Sequence, residues 1–462
     1  EREGMMPERR RQPWPFGSAG ALFTDLYELT MAQAYDAEAM EQLAVFELYF
    51  RKMPPQRGYL IAAGLAEVLD YLEDWQFTDD DLEYLRSQEL FSEVFLDRLR
   101  RVRFSGAVYA VAEGTPIFPY EPLVQVVAPI LEAQLIETFL LNQVHFQTIV
   151  ASKAARVIEA AAGRAVVDFG SRRAHGTDAA LKVARTSYLA GAAGTSNVLA
   201  GKVYGLPIFG TMAHSYLQAH EDERQAFEAF ATLFPETTLL VDTYDTQGGV
   251  RKVIELARKL GDRFRVRAVR LDSGDLAELS RQTRQLLDDA GLPEVRIFAS
   301  SGLDEYKIAK LIEAGAVIDG FGVGTNLVVS EDAPHLDMAY KLVEYAGEAR
   351  TKLSTDKVIY PWRKQIFRRE EGGRLAGDLL ARHDEEHEGE PLLELVMGNG
   401  KRLPAGEVSL EEARQHARKQ LGRLPDSLRA LGHVETPYPV EVSPLLQKDL
   451  EALQQRLHHT PD

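Results

Sequence analysis

The chain has 462 residues, no cysteine, and 53 Lys plus Arg against 70 Asp plus Glu, for a net charge of −17. That length calls for two or three domains with substantial cores, and that charge argues against a general nucleic-acid binder while leaving clusters such as Arg172 and Arg173 to hold anions. Zero cysteine removes disulfides, thiolate metal sites and a cysteine nucleophile; with no apolar stretch of membrane-spanning length and no signal-peptide core, a cytoplasmic enzyme without membrane partners is expected.

Residues 1–20 read as a flexible leader, because charge, Pro and Gly dominate there without periodicity. The spacing of Leu26, Leu29, Thr30 and Gln33 predicts a helix over 24–39. AVFELYFRKMP then reads as a strand, and GLAEVLDYLEDW and residues 80–100 as helices. Short apolar runs between Phe104 and Pro129, punctuated by Gly and Pro, predict a small antiparallel β unit. A long helix over about 131–161 completes an N-terminal α/β domain at 21–162.

From Ala165 to Leu327 one pattern recurs, an apolar β-branched run ending in small and polar residues: AVVDFGSRR, LPIFGTMAH, TLLVDTYD, VRAVRLDSGD, VRIFASSG and VIDGFGVGT. Helical periods alternate with these runs at 178–189, 221–233, 250–260, 276–290 and 304–314. Buried parallel strands with their polar ends on one face follow, and in a β/α barrel that face holds the active site. The barrel is assigned to 163–360 and a charged, helix-rich extension to 361–462, with Ser409 and Glu412 as a capping box and Ser443 with Pro444 as a helix start. The fold class is thus α/β, an irregular β/α barrel with an N-terminal α/β domain and a helix-rich C-terminal region.

The strand ends carry the residues that chemistry could use. In GFGVGT, Gly320 to Thr325, closely spaced glycines would let backbone N–H groups approach a phosphate, although ordinary glycine turns share the pattern. No G-x-x-x-x-G-K-[ST] run is present, and NLVVSEDAP does not read as the helix a dinucleotide fingerprint needs. LDSGD sets Asp272 and Asp275 about a Ser-Gly turn just after Arg270, which suits ribose hydroxyls, Mg2+ through water and a substrate carboxylate, or a plain solvated turn. GTMAHS puts His214 at a strand end, as a nucleophile or as a structural hydrogen-bonding residue, without the second histidine of a zinc hydrolase. DFGSRR sets Phe169 beside Arg172 and Arg173, a set suited to a flat anion, while Phe169 could equally be core. Tyr27 and Tyr35, in TDLYELTMAQAY, read as packing residues.

Taken in order, TDLYELTMAQAY, DFGSRRAHG, AGTSNVLAG, GTMAHSY, VRLDSGDL and GFGVGTNL closely resemble the nicotinate phosphoribosyltransferase family, over a span from about Phe23 to the end of YKLVEYAGEARTKLS. The resemblance implies an irregular α/β barrel with an N-terminal α/β domain and an added C-terminal region. It implies that nicotinate, 5-phosphoribosyl diphosphate and ATP become nicotinate mononucleotide, diphosphate, ADP and phosphate in NAD salvage, with Mg2+, whose protein ligands stay open. By the same resemblance His214 matches the histidine transiently phosphorylated by ATP, Asp272 a position at the ribose, and Arg270 and Thr211 positions near the pyridine carboxylate. Gly324 and Thr325 match the loop on the 5′-phosphate, with Arg172 as an anion contact. Phe169 matches one face of an aromatic clamp on the pyridine ring and Tyr27 the other, which in related enzymes comes from the neighbouring subunit. A homodimer with shared active sites is therefore implied.

The nearest rival is nicotinamide phosphoribosyltransferase. By resemblance that enzyme carries Asp at the position of Ser196, which would welcome an amide and repel a carboxylate, so Ser196 favours the acid. Quinolinate phosphoribosyltransferase needs no ATP and would want more cations for two carboxylates. A barrel that binds a phosphorylated nucleoside as a non-catalytic sensor is the alternative of a different class. One departure stands out: many relatives have Gly after Pro and then Lys where this chain has Pro361, Trp362, Arg363 and Lys364, so no phosphate contact is assigned there.

Overall fold

The computed structural model describes residues 20–353 and 357–459; the leader expected at 1–20 lies, except for Gly20, outside the described residues. The chain divides into two units, Glu1–Ile149 with His335–Asp462, and Val150–Pro334, and the division falls inside the helix Glu137–Ala160. The helix expected over 131–161 is in fact broken at Ile136, into Ile130–Leu135 and Glu137–Ala160.

In the first unit a seven-stranded sheet runs in the order Glu348–Ala349, Met338–Tyr345, Leu43–Phe50, Val124–Pro129, Ala107–Val111, Leu393–Gly398 and Lys401–Arg402. Leu43–Phe50 pairs antiparallel with both neighbours and is buried from Ala44 onward, which explains why LAVFELYF lacks the alternation of a half-exposed strand. Its one charge, Glu47, is fully buried and meets Lys364 Nζ at 2.6 Å. Burial pushes the Glu47 carboxyl up and the Lys364 ammonium down, and their attraction opposes both shifts.

The C-terminal region is mixed rather than helix-rich. Among the described residues after 361 stand six strands beside the helices Leu410–Arg423 and Pro444–His458. Four strands form a second sheet, ordered Glu390–Pro391, Lys364–Glu371, Arg374–Arg382 and Val440–Val442. The sequence hid these strands because their charges are partly internal: Arg368 and Asp378 form a fully buried pair at 2.6 Å, and Tyr438 Oη donates to Asp378 Oδ1 at 2.9 Å. Both expected caps are present, with a reciprocal box at Ser409 and Glu412 and the Ser443 hydroxyl accepting from Leu446 N–H. Trp362 adopts φ +66°, the conformation that a glycine favours; its N–H donates to the Val343 carbonyl and its ring lies 5.2 Å from the Arg382 guanidinium.

The second unit carries a six-stranded, all-parallel sheet ordered Gly194–Thr195, Ala165–Asp168, Gly320–Val323, Arg296–Ala299, Ala268–Leu271 and Thr238–Leu240. It is a parallel half-barrel: no ladder among the described residues joins its two outer strands. LPIFGTMAH, expected as a strand, makes only the isolated bridge of Ile208 with Thr195. The edge place goes instead to Gly194–Thr195, two residues too short to leave any apolar period. The helices Thr177–Ala190, Glu223–Leu233, Thr246–Leu260, Leu276–Asp289 and Glu305–Glu313 stand where helical periods were read. Asp222, Asp245, Asp275 and Asp304 each cap the helix that follows by accepting a backbone N–H.

Candidate functional site

The C-terminal ends of the parallel strands gather one continuous polar network. Arg270, on Ala268–Leu271, donates through Nε to Ser300 Oγ at 3.1 Å and through Nη1 to Thr211 Oγ1 and, at 3.3 Å, to the Met212 carbonyl. Its Nη2 lies 3.6 Å from Asp272 Oδ1, which also accepts from the Ser300 hydroxyl. Asp272 N–H in turn donates to Asp242 Oδ2 at 2.8 Å, and Ser273 Oγ to the same oxygen at 2.6 Å. Asp242 thereby holds the LDSGD turn, whose Gly274 sits at φ +78°.

His214 opens the short helix His214–Gln218 and stands between two of these groups. Its Nδ1 is 3.1 Å from Thr243 Oγ1 and its Nε2 3.5 Å from Asp272 Oδ2, and about a third of the side chain stays exposed. An imidazole held at both nitrogens and still open to solvent is oriented for proton or phosphoryl transfer. The two carboxylates of LDSGD separate here: Asp272 faces His214, whereas Asp275 is consumed as a helix cap.

A second group surrounds Asp168 at the end of Ala165–Asp168. Asp168 is buried, which raises its carboxyl, while bonds from Gly170 N–H at 2.8 Å and Thr195 Oγ1 at 2.7 Å pull it back down. Its carbonyl accepts from Ser196 N–H at 2.8 Å, which fixes half-buried Ser196 at this rim. The Phe169 ring lies across Gly322, where a Cβ would come within 2.5 Å of the ring, and 5.7 Å from the Phe298 ring. Gly170 admits Val328 of the short helix Thr325–Val328 in the same way, since a Cβ there would meet Val328 Cγ1 at 1.8 Å. Gly324 precedes that helix with Thr325 exposed at its start, and Arg172 projects into solvent with one bond, at 3.4 Å, to the Phe169 carbonyl.

Thr211, His214, Arg270 and Asp272 are thus in one bonded cluster, whereas Phe169, Arg172, Ser196, Gly324 and Thr325 gather about the neighbouring strand ends. Tyr27 lies in the other unit on Leu26–Ala37, half-exposed, with its hydroxyl 3.5 Å from Glu137 Oε1. Sequence reading passed over Asp242, Thr243, Ser300 and Asp168 as individuals. The signal for all four was their place at or within three residues of the end of a buried strand, in VDTY, FASS and VVDF.

Comparison with known proteins agrees along the chain. Residues 22–145 match the nicotinate phosphoribosyltransferase (NAPRTase) N-terminal domain, 164–356 the nicotinate phosphoribosyltransferase (NAPRTase) family, and 385–450 the nicotinate phosphoribosyltransferase C-terminal domain. Nicotinate phosphoribosyltransferase pncB2 of Mycobacterium tuberculosis (strain CDC 1551 / Oshkosh) is 62% identical over 94% of each chain. Nicotinate phosphoribosyltransferase of Bacillus subtilis (strain 168) is 42% identical over 79% of this chain and 77% of its own. The crystal structure of human nicotinic acid phosphoribosyltransferase superposes with a TM-score of 0.83, at 30% identity, over 93% of this chain and 99% of that one.

Proposed function

Since this chain belongs to the nicotinate phosphoribosyltransferase family and forms nicotinate mononucleotide in NAD salvage, we propose that the cluster of Thr211, His214, Arg270 and Asp272 performs that transfer with ATP as co-substrate. The contact of His214 with Asp272, beside a clamped Arg270, carries this reading.

His214 accepts the terminal phosphoryl group of ATP on a ring nitrogen, releasing ADP; water later takes that group as phosphate. The pyridine nitrogen of nicotinate attacks the anomeric carbon of 5-phosphoribosyl diphosphate, the bond to diphosphate breaks, and positive charge develops on the ribose in between. The Asp272 carboxylate is placed to stabilise that charge, and Asp242 positions Asp272 through its backbone N–H. Arg270 and Thr211 take the pyridine carboxylate, Phe169 one face of the ring, and Gly324, Thr325 and Arg172 the 5′-phosphate. Ser196 stands where a carboxylate would repel the acid. Tyr27 of a neighbouring subunit supplies the second ring face, in a homodimer.

Among the described residues no three carboxylate or imidazole groups gather as a ready cation cage, and Asp242 keeps a buried Oδ1 without a hydrogen-bond partner. That donor set fits Mg2+ arriving on substrate diphosphate and taking one or two carboxylates, where it would neutralise the leaving group. The reading is tested with His214→Ala: ATP stimulation is lost while slow transfer persists. Full stimulation, with an acid-labile phosphate still formed on that variant, would place the phosphoacceptor elsewhere.

A further inference from the structure

A cavity of about 430 Å3 lies wholly within the first unit and shares no residue with the site above. That volume falls in the range of roughly 300–1,000 Å3 usual for small-molecule sites. The segment Met53–Gly58, Phe118–Tyr120, Tyr360, Leu380 and the stretch from His433 to Val442 contribute its walls.

Its composition departs from that of a packing void. Phe118 and Tyr438 are stacked, with centroids 3.8 Å apart and planes 16° apart. The Tyr438 hydroxyl is tied to Asp378, itself paired with Arg368, so this aromatic wall is held by a buried ion pair. Beside aliphatic lining such as Leu380 and Val440 it has Tyr120 and Tyr360, which meet edge to face at 6.1 Å and 85° and are both only half-buried. Two residues that can carry positive charge are among its lining, Arg57, buried to 3% exposure, and exposed His433.

Tyr120 adds a separate observation. Its φ of +67° lies in the left-handed region, which a tyrosine rarely adopts, and its N–H is held to the Phe50 carbonyl at 2.8 Å. The fold therefore keeps this ring at the cavity against its local preference.

We propose that this cavity is a second ligand site, for a planar heteroaromatic anion of mononucleotide size. The rings would stack on the base, and Arg57 with His433 would take the negative group. The proposal stands independently of the roles given to His214 and Asp272, because it needs no turnover.

Hydrogen exchange of the full-length protein reads the site locally. Adenosine 5′-monophosphate and nicotinate mononucleotide are added separately, with ribose 5-phosphate as the non-aromatic control. At least one nucleotide should slow exchange in 118–121 and 431–438, and which one does so distinguishes an adenine from a pyridine ligand. Tyr360→Ala should weaken that protection about tenfold in ligand concentration, the scale of a lost aromatic stack, while protection at 271–275 persists. His433→Ala, at an exposed position, gives the same test if Tyr360→Ala lowers stability. Absence of protection with both nucleotides, equal protection by ribose 5-phosphate, or protection unchanged in both variants would overturn the proposal. So would protection that follows protein concentration without any ligand, since a second copy of the chain would then cover the cavity.

Discussion

Aspartate does two jobs at the same strand ends. Asp245, Asp275 and Asp304 cap helices, whereas Asp242 and Asp272 turn toward Arg270, Ser273, Ser300 and His214. A β/α unit always needs a cap where its helix starts, so an acidic residue there is evidence of architecture first. Ser196 offers a sharper test of chemistry. Ser196→Asp would set a carboxylate beside buried Asp168, and we expect kcat/KM for nicotinate to fall about 10- to 100-fold relative to nicotinamide, the scale of one desolvated polar mismatch. Unchanged ratios for the two bases would remove Ser196 from substrate choice.

At the scale of elements, close approach decides which glycines matter. Gly322 lies in the middle of the sheet, and any Cβ there would press on Phe169 and, at 3.1 Å, on Phe298. Gly322→Ala should cost about 1–3 kcal/mol, as overpacked cores do, and should displace the ring proposed to stack on the pyridine. Urea unfolding together with a rise in KM for nicotinate larger than the fall in kcat is the expected pair of results. A destabilised variant with unaltered KM would separate Phe169 from the substrate. The stretch 206–214 shows the opposite case: LPIFGTMAH has the apolar content of a strand, yet Gly194–Thr195 holds the edge of the sheet and leaves Ile208 one bridge.

For the molecule as a whole, pH reports on a carboxylate cluster of the first unit. Burial and the neighbouring Glu28 push Glu137 up to about 7, and Gln134 Nε2 and the Tyr27 hydroxyl donate to its carboxylate. Between its ordinary value of 4.5 and about 7 the folded state binds the extra proton, so stability falls as pH rises through that window and levels off above it. Glu137→Gln should flatten this slope and stabilise the protein by roughly 1–3 kcal/mol at pH 8 relative to wild type, a span set by a pKa shift of this size. Thermal midpoints from pH 5 to 8 check it; parallel curves for both proteins would reject it. Assembly gives the other whole-molecule test. If Tyr27 completes the neighbour's site, mixing impaired Tyr27→Ala and His214→Ala proteins should restore up to about a quarter of wild-type rate, as random pairing leaves one intact site in half of the dimers. Activity that stays at the sum of the two variants would assign each site to a single chain.

Much of this was legible in the chain. The recurring apolar runs marked five of the six parallel strands, the intervening periods marked the helices, and six ordered motifs carried the family, because each is a local pattern that burial on both faces or on one face imposes. Tertiary structure decided the rest. It chose Gly194–Thr195 over 206–214, buried the charges of Arg368 and Asp378 in strands that read as surface, and brought Asp242, Thr243 and Ser300 to Asp272 and His214. Those outcomes depend on partners 10 to 31 residues away, supplied by neighbouring strands, and no periodicity in one segment records which charge or hydroxyl another segment will present to it.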